Sequence, residues 1–473
     1  PSQSESDAAV VLSTGIARRY SGQNLQVVVV PLADGATTLA TPSPPFERQI
    51  TIKEGPDKGV SLQPTNGMPA LLISGPGGEL TNQTRLLADD SLQFALSPQT
   101  VAGPLSIKQE LVSDTTTLLQ LNKSGLKSEA TWPKVGVEID QTRFGHSIHG
   151  IRVHLNGSHT PVPVGMGGEV TVGVGGDVLA RWAAEASGTI DRWIDIPDRL
   201  IGRTTVLDVS VHTTGEVGQC GDYLPIALAI DGSTQIEANP ANPPVPQGFR
   251  SLPQALMPGV KIGLGDDALG DTGRAIQLVM ALQRSTPVPL TTTVTSLKQA
   301  IDSPDPAVLV SADGWPDKTI ALPFSTDQGQ VTLNALDADG KPKTLTLDPA
   351  VQFGSLQTVF DGKRSLLIAT SNGAPAQLDE LLRWLSGESG RLSGLNGRAV
   401  VSVPGSAPAT IPNPPTDLAA APEGSGPRSG LDLAWWIAGG VVAAAAAGAL
   451  VIALRARRSH RTDDVAAEDN SPD

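Results

Sequence analysis

A single cysteine, Cys220, stands in a chain of 473 residues. It excludes an intramolecular disulfide framework and any zinc site built on cysteine. Aromatic residues make up only 3%, so the cores must be assembled from Val, Leu, Ile and Ala. Cations are also few, with 34 Lys and Arg against 48 Asp and Glu and a net charge of −14. Phosphate recognition needs clustered cations, which argues against nucleic acid as a partner. No G-x-S-x-G elbow, P-loop or H-E-x-x-H motif occurs. Carboxylates are plentiful, yet nothing singles out a glycosidase pair. The expectation is a chain that is not an enzyme and carries no cofactor or metal.

What is abundant is turn chemistry. Gly (50) and Pro (39) together form about a fifth of the chain, against an average near 12%. The length implies about three domains. One long apolar run is present, residues 433–454, without a charge and with Trp435 and Trp436 near its start. It is long enough to span a hydrocarbon core of about 30 Å. Arg455, Arg457, Arg458 and Arg461 follow, so the tail, 455–473, is expected in the cytoplasm. The rest is then a large extracytoplasmic part of a single-pass protein of the cell membrane, periplasmic or extracellular. An exported domain needs an export signal, so a chain opening at Pro1 is expected to be cut or processed. Residues 406–430, rich in Pro, Ala, Gly and Ser, read as a tether.

The remainder divides by texture. Residues 1–110 alternate helix and strand signals: a helix over 8–20, a doubly buried strand at 25–30, strands at 50–52 and 71–73, and a helix over 80–88. Residues 246–405 repeat this texture, with helices over 274–284, 297–301 and 377–385 and strands at 290–294, 307–310, 365–368 and 398–403. The two share a local pattern. Ser61-Leu62-Gln63 leads to Leu71-Leu72-Ile73, and Ser355-Leu356-Gln357 leads to Leu366-Leu367-Ile368, which reads as a duplicated module. Between them, 125–240 alternates strictly, as at Val135, Val137, Ile139 and at Ile151, Val153, Leu155. Asn156-Gly157, Gly167-Gly168, Gly175-Gly176 and Asp231-Gly232 supply turn signals. Short strands at regular spacing predict a β-sandwich, most economically a jelly roll. The fold class expected is therefore multidomain α+β: a jelly-roll-like sandwich flanked by two small α/β units, plus one C-terminal transmembrane helix.

His146 and His149, with His154 and His159 after them, lie in alternating sequence and read as solvent-facing rather than as zinc ligands. Gly263-x-Gly265 precedes a helix, but Ala268 and the acidic pair Asp266-Asp267 favour a tight turn over a nucleotide cradle. Sugar faces stack on aromatic rings, and the sandwich offers Trp132, Phe144, Trp182, Trp193 and Tyr223. If Ile194 and Ile196 face the core, Asp191, Trp193 and Asp195 share the outward face. The candidate carbohydrate-binding residues are accordingly Trp193, Tyr223, Asp191, Asp195 and Trp182.

Three stretches carry a family resemblance: Val153-His154-Leu155-Asn156-Gly157, Ile194-Asp195-Ile196-Pro197, and Cys220-Gly221-Asp222-Tyr223-Leu224-Pro225 with Ile230-Asp231-Gly232-Ser233. With the order of units, they resemble the family of periplasmic regulatory subunits of bacterial cellulose synthase, over roughly residues 5–455, without that family's N-terminal jelly roll. The resemblance implies sugar-binding jelly rolls alternating with flavodoxin-like or ferredoxin-like domains. It also implies a non-catalytic subunit that guides an emerging polysaccharide and associates with a membrane glycosyltransferase. Gly440, Ala444 and Gly448 form small-xxx-small pairs suited to that helix contact. The alternatives are a stand-alone cell-surface carbohydrate-binding or adhesion protein and an anchored glycoside hydrolase. The polymer is not assigned.

Overall fold

A computed structural model describes residues 1–65, 67–88, 97–104, 109–162, 167–214, 225–327, 330–336, 342–347, 351–388 and 390–413. It is mixed α+β and mostly sheet. Residues 433–454, with Gly440, Ala444 and Gly448, lie outside the described residues, as do Cys220 and Tyr223. Among the described residues no helix is long and apolar enough to cross a membrane.

The first unit opens with α1 (Gln3–Arg19), where Ser2 and Glu5 form a reciprocal capping box. Strands β1 (Ile50–Glu54), β2 (Gly59–Gln63) and β3 (Ala70–Gly75) follow, then α2 (Gly77–Ala88) and β4 (Gln99–Thr100). The sheet order is β1-β3-β2-β4, with β1 parallel to β3 and the other pairs antiparallel. Residues 25–30 correct an expectation. They form no strand and have no ladder partner among the described residues, and Val28 is 78% exposed. Leu25, Val27 and Val29 instead pack on the core of the last unit.

The central unit contains β5 (Thr115–Thr117), β6 (Gly125–Ala130), β7 (Lys134–Asp140), β8 (Ile148–His159), β9 (Gly167–Val174), β10 (Asp177–Ala183), β11 (Thr189–Asp195), β12 (Thr204–Thr214), β13 (Ile226–Asp231) and β14 (Gln235–Pro240). One sheet runs β10-β9-β12-β7. In the other, β8 has β11 on one side and both β14 and β13 on the other, with β5 beyond β14 and β6 beyond β13. The inward residues of both sheets form one aliphatic cluster, including Val137, Val153, Val172, Val209 and Leu228. Two antiparallel sheets over one core form a sandwich. Its first strand, β5, lies upstream of the expected boundary at 125. Asn156-Gly157 is no turn: β8 runs through it, because a Cβ at position 157 would strike the Ala229 carbonyl oxygen of β13. Gly175-Gly176 does turn, with both residues at positive φ between β9 and β10.

The last unit holds β15 (Gly259–Leu264), α3 (Ala268–Gln283), β16 (Thr291–Ser296), α4 (Leu297–Asp302) and β17 (Ala307–Ser311). A small antiparallel sheet follows, β18 (Phe324–Asp327), β19 (Gln330–Leu336) and β20 (Pro342–Leu347). Then come β21 (Gly354–Phe360), β22 (Ser365–Ser371), α5 (Pro375–Ser386), α6 (Arg391–Gly394), β23 (Ala399–Ser402) and β24 (Ala409–Ile411). The main sheet is β16-β15-β17-β22-β21-β23-β24. Because β24 pairs with β23, the main sheet continues past the expected start of the tether at 406.

The duplicated module is visible in the topology. The order β1-β3-β2-β4 matches β17-β22-β21-β23 in sequence order and in strand directions, with α2 corresponding to α5. The shared triplets fall on equivalent strands but not in equivalent register, since Ser61 pairs with Leu72 whereas Ser355 pairs with Thr370. Nor are the two units separate bodies. α1 contributes Ala8 and Leu12 to the first core and Val10 and Ala17 to the last. Its Gln3 and Asp7 side chains also bond the backbone C=O and N–H of Val294 on edge strand β16.

Candidate functional site

Alternation in β11 buries Ile190 and Ile194, leaves Arg192 between them exposed, and turns Asp191, Trp193 and Asp195 outward, as the sequence predicts. Their neighbours follow from the register. Trp193 lies opposite His154 of β8, which lies opposite Gln235 of β14; Asp195 lies opposite Arg152, which lies opposite Glu237. Thr115 and Thr117 of β5 extend these rows.

The contacts tie this face together. The His154 and Trp193 rings stack with centroids 4.6 Å apart and 8° between planes. The Arg152 guanidinium sits 4.8 Å from the Trp193 ring centre, a cation–π contact worth about 0.5–1 kcal/mol at an exposed position. His154 Nε2 is 2.6 Å from Asp191 Oδ1, and Arg152 donates from Nε to Asp195 Oδ1 at 2.9 Å. Gln235 Nε2 donates to Glu237 Oε1 at 3.0 Å. Trp193 remains 40% exposed. The face therefore combines an accessible indole with carboxylates, an amide and a guanidinium held by their own neighbours. Such a surface can stack an apolar ring face and hydrogen-bond hydroxyls around it.

The other expected residues are not brought to this face. Trp182 pairs with Val170 on the inner side of edge strand β10 and packs on the sandwich core, with Arg192 5.2 Å from its ring. Phe144 is core. Trp132 is 65% exposed but sits beside His212 of β12, in the opposite sheet. Tyr223 lies outside the described residues. Sequence reasoning does not single out Arg152, His154 and Glu237 as site residues, because their closeness to Trp193 depends on inter-strand register. The usable signal is the outward position of His154 between Val153 and Leu155.

The histidines of the sandwich have separate partners. His146 faces Asp114 at 2.9 Å, His149 faces Asp198 at 3.7 Å, and His154 faces Asp191. His159 corrects the expectation of exposure: it is buried, with Nδ1 2.9 Å from the Thr160 carbonyl oxygen. Among the described residues no three His, Cys, Asp or Glu side chains gather to hold a metal ion.

The turn at Gly263-x-Gly265 is occupied by the protein itself. Asp267 caps α3 by accepting from the Gly270 N–H at 3.0 Å, which takes the place an anion would fill. A Cβ at Gly265 would come within 2.8 Å of Asp271 Oδ2, so glycine serves the close approach of α3 to the sheet. Arg274 then bonds Asp267, Asp271 and Asp379 at 3.0, 2.8 and 2.7 Å. Burial raises the Asp271 pKa above the usual carboxylate value, against the lowering effect of Arg274.

No family model matches the chain, and no curated protein does. Among solved structures, an acetyl xylan esterase from the rumen bacterium Butyrivibrio proteoclasticus is similar at 12% identity, over 48% of this chain and 73% of that one, with a TM-score of 0.15. A likeness that loose carries no argument about fold or chemistry.

Proposed function

We propose that this chain is a non-catalytic subunit that holds a polysaccharide at the Trp193 face of its sandwich, outside the cytoplasm and beside a membrane glycosyltransferase of the cellulose-synthase type. We read the sandwich as jelly-roll-like, the α/β units as flavodoxin-like or ferredoxin-like, and residues 433–454 as the membrane anchor. The observation that carries the polysaccharide reading is the outward row of Trp193, His154 and Gln235 beside Asp195, Arg152 and Glu237. An indole that stays 40% exposed while braced by His154 and Arg152 favours a ligand with an apolar face and peripheral hydroxyls. A guide must hold a moving polymer without trapping it, so the expected affinity for a short oligosaccharide is roughly millimolar, about −4 kcal/mol.

The partnership with the transferase is tested by purifying the full chain from membranes. Leucine at Gly440, Ala444 and Gly448 should preserve insertion yet block close helix approach, so the transferase should no longer co-purify. Undiminished co-purification would remove this helix from the contact, and absence of any transferase with the unaltered chain would favour a stand-alone carbohydrate-binding protein.

A further inference from the structure

Trp193 has a carboxylate on either side of it along β11. Asp191 and Asp195 each stand two residues away, about 7 Å along the strand, and turn outward with the indole. Their side chains are 69% and 77% exposed. Each engages the sheet through one oxygen, Oδ1, to His154 and to Arg152 respectively, and Oδ2 of each has no partner among the described residues. Arg152 is shared, lying 2.9 Å from Asp195 and 3.8 Å from Glu237. Lys127, on β6 of the same sheet, is matched by Glu129 at 3.7 Å. Around the indole, Asp191, Asp195 and Glu237 therefore outnumber the cations whether His154 is neutral or charged. An anionic group on a stacked sugar would meet two exposed like charges, with the nearby guanidinium already engaged. An ammonium at the rim of the same sugar would meet Oδ2 of Asp191 or Asp195.

We propose that the Trp193 face selects its polymer by charge, favouring chains whose sugars carry free amines over neutral ones and rejecting chains that carry carboxylate, sulfate or phosphate groups. Trp193 supplies the stacking that every such chain can use. Asp191 and Asp195 determine the specificity, because they flank the ring and keep an oxygen each for the ligand. This selectivity rests on the polysaccharide contact proposed above and names the class of polymer that the contact prefers. Pairs at such exposure contribute modestly, so the preference is a matter of severalfold and leaves neutral glucan able to bind.

The test compares β-linked hexamers of glucose, of glucosamine and of glucose carrying C6 carboxylates, each titrated into the full chain and followed by ligand-observed NMR. With its amines charged and at low salt, the glucosamine hexamer should bind about three- to tenfold more tightly than the glucose hexamer, and the acidic hexamer at least about threefold more weakly. Added salt should shrink both ratios. Asp191→Asn combined with Asp195→Asn should bring the three affinities together. Asp34→Asn, which alters an exposed carboxylate of the first unit, should leave the ratios unchanged and so separate a local effect from the net charge of −14. Equal affinity for the glucose and glucosamine hexamers, or a preference that survives the double substitution, would overturn the proposal while leaving the glucan contact in place. Binding of none of the three, or glucose-hexamer binding that persists in Trp193→Ala, would remove the contact itself and this selectivity with it.

Discussion

Arg274→Ala is expected to destabilise the last α/β unit by about 3–5 kcal/mol, the usual effect of removing one partner from a buried ion pair. Asp271 is 1% exposed, and Arg274 is the cation bonded to it, at 2.8 Å. Asp267 and Asp379 are bonded to the same guanidinium, so the substitution also leaves three carboxylates near the start of α3 without their cation. Burial already raises the pKa of Asp271, and Arg274 opposes that rise. A raised folded pKa means that the folded state holds the proton more tightly than the unfolded one. The contribution is therefore most favourable below the unfolded value, near 3.9, and is lost as pH rises through the folded value. Removing Arg274 moves the folded value further up. Urea unfolding should then show a deficit that is small near pH 4 and large at pH 7, and Arg274→Ala with Asp271→Asn should recover part of it. An equal deficit at both pH values, or one below about 1 kcal/mol, would contradict the assignment.

Arg364→Ala should have a comparable effect for a different reason. The Arg364 guanidinium is buried and donates to the carbonyl oxygens of Ala300 at 2.9 Å, Ile301, and Asp305 at 2.7 Å. Ala300 and Ile301 lie in the last turn of α4, whose final carbonyls have no partner within the helix. Its Nε also meets Asp361 Oδ2 at 3.1 Å. Losing these four bonds while the carbonyls stay covered should cost about 4–6 kcal/mol in sum, at roughly 1–1.5 kcal/mol per bond. Lysine has no planar fork, so Arg364→Lys should recover less than half. Burial tends to raise the Asp361 pKa, but N–H donation from Arg364 and Lys363 and the guanidinium bring it below the usual value. Its contribution is thus present above the unfolded value and lost as the solution is acidified through the folded one. Amide exchange across α4 should quicken with the loss of stability. Unaltered exchange there would show that the guanidinium does not hold the helix end.

Much of this fold was legible because alternation is a local property. Val135, Val137 and Ile139, and likewise Ile190 and Ile194, announce their buried face without knowledge of any partner. The outward placement of Asp191, Trp193 and Asp195 followed from the same rule. Features that depend on partners did not follow. β6 is largely exposed and has no apolar period, so only its pairing with β13 identifies it. Asn156-Gly157 has turn composition, yet the nearby β13 backbone explains its glycine within a strand. α1 reads as an ordinary helix of the first unit, although its Val10 and Ala17 belong to the core of the last. Trp182 sits on an edge strand whose inner face is covered by the opposite sheet, and sequence alone does not say which sheet that is. Arg274 and Asp379 meet across 105 positions, beyond the range of any spacing rule.

The central claim is that the Trp193 face contacts polysaccharide, and glucan retardation of the full chain in native gels tests it most directly. Soluble β-glucan should slow the unaltered protein. Trp193→Ala should abolish the retardation while leaving the unfolding midpoint close to that of the parent, since the ring lies outside the sandwich core. Trp182→Ala should lower stability through the core and leave the retardation of the folded fraction intact. Retardation that survives Trp193→Ala, or that disappears only with Trp182→Ala, would contradict the account.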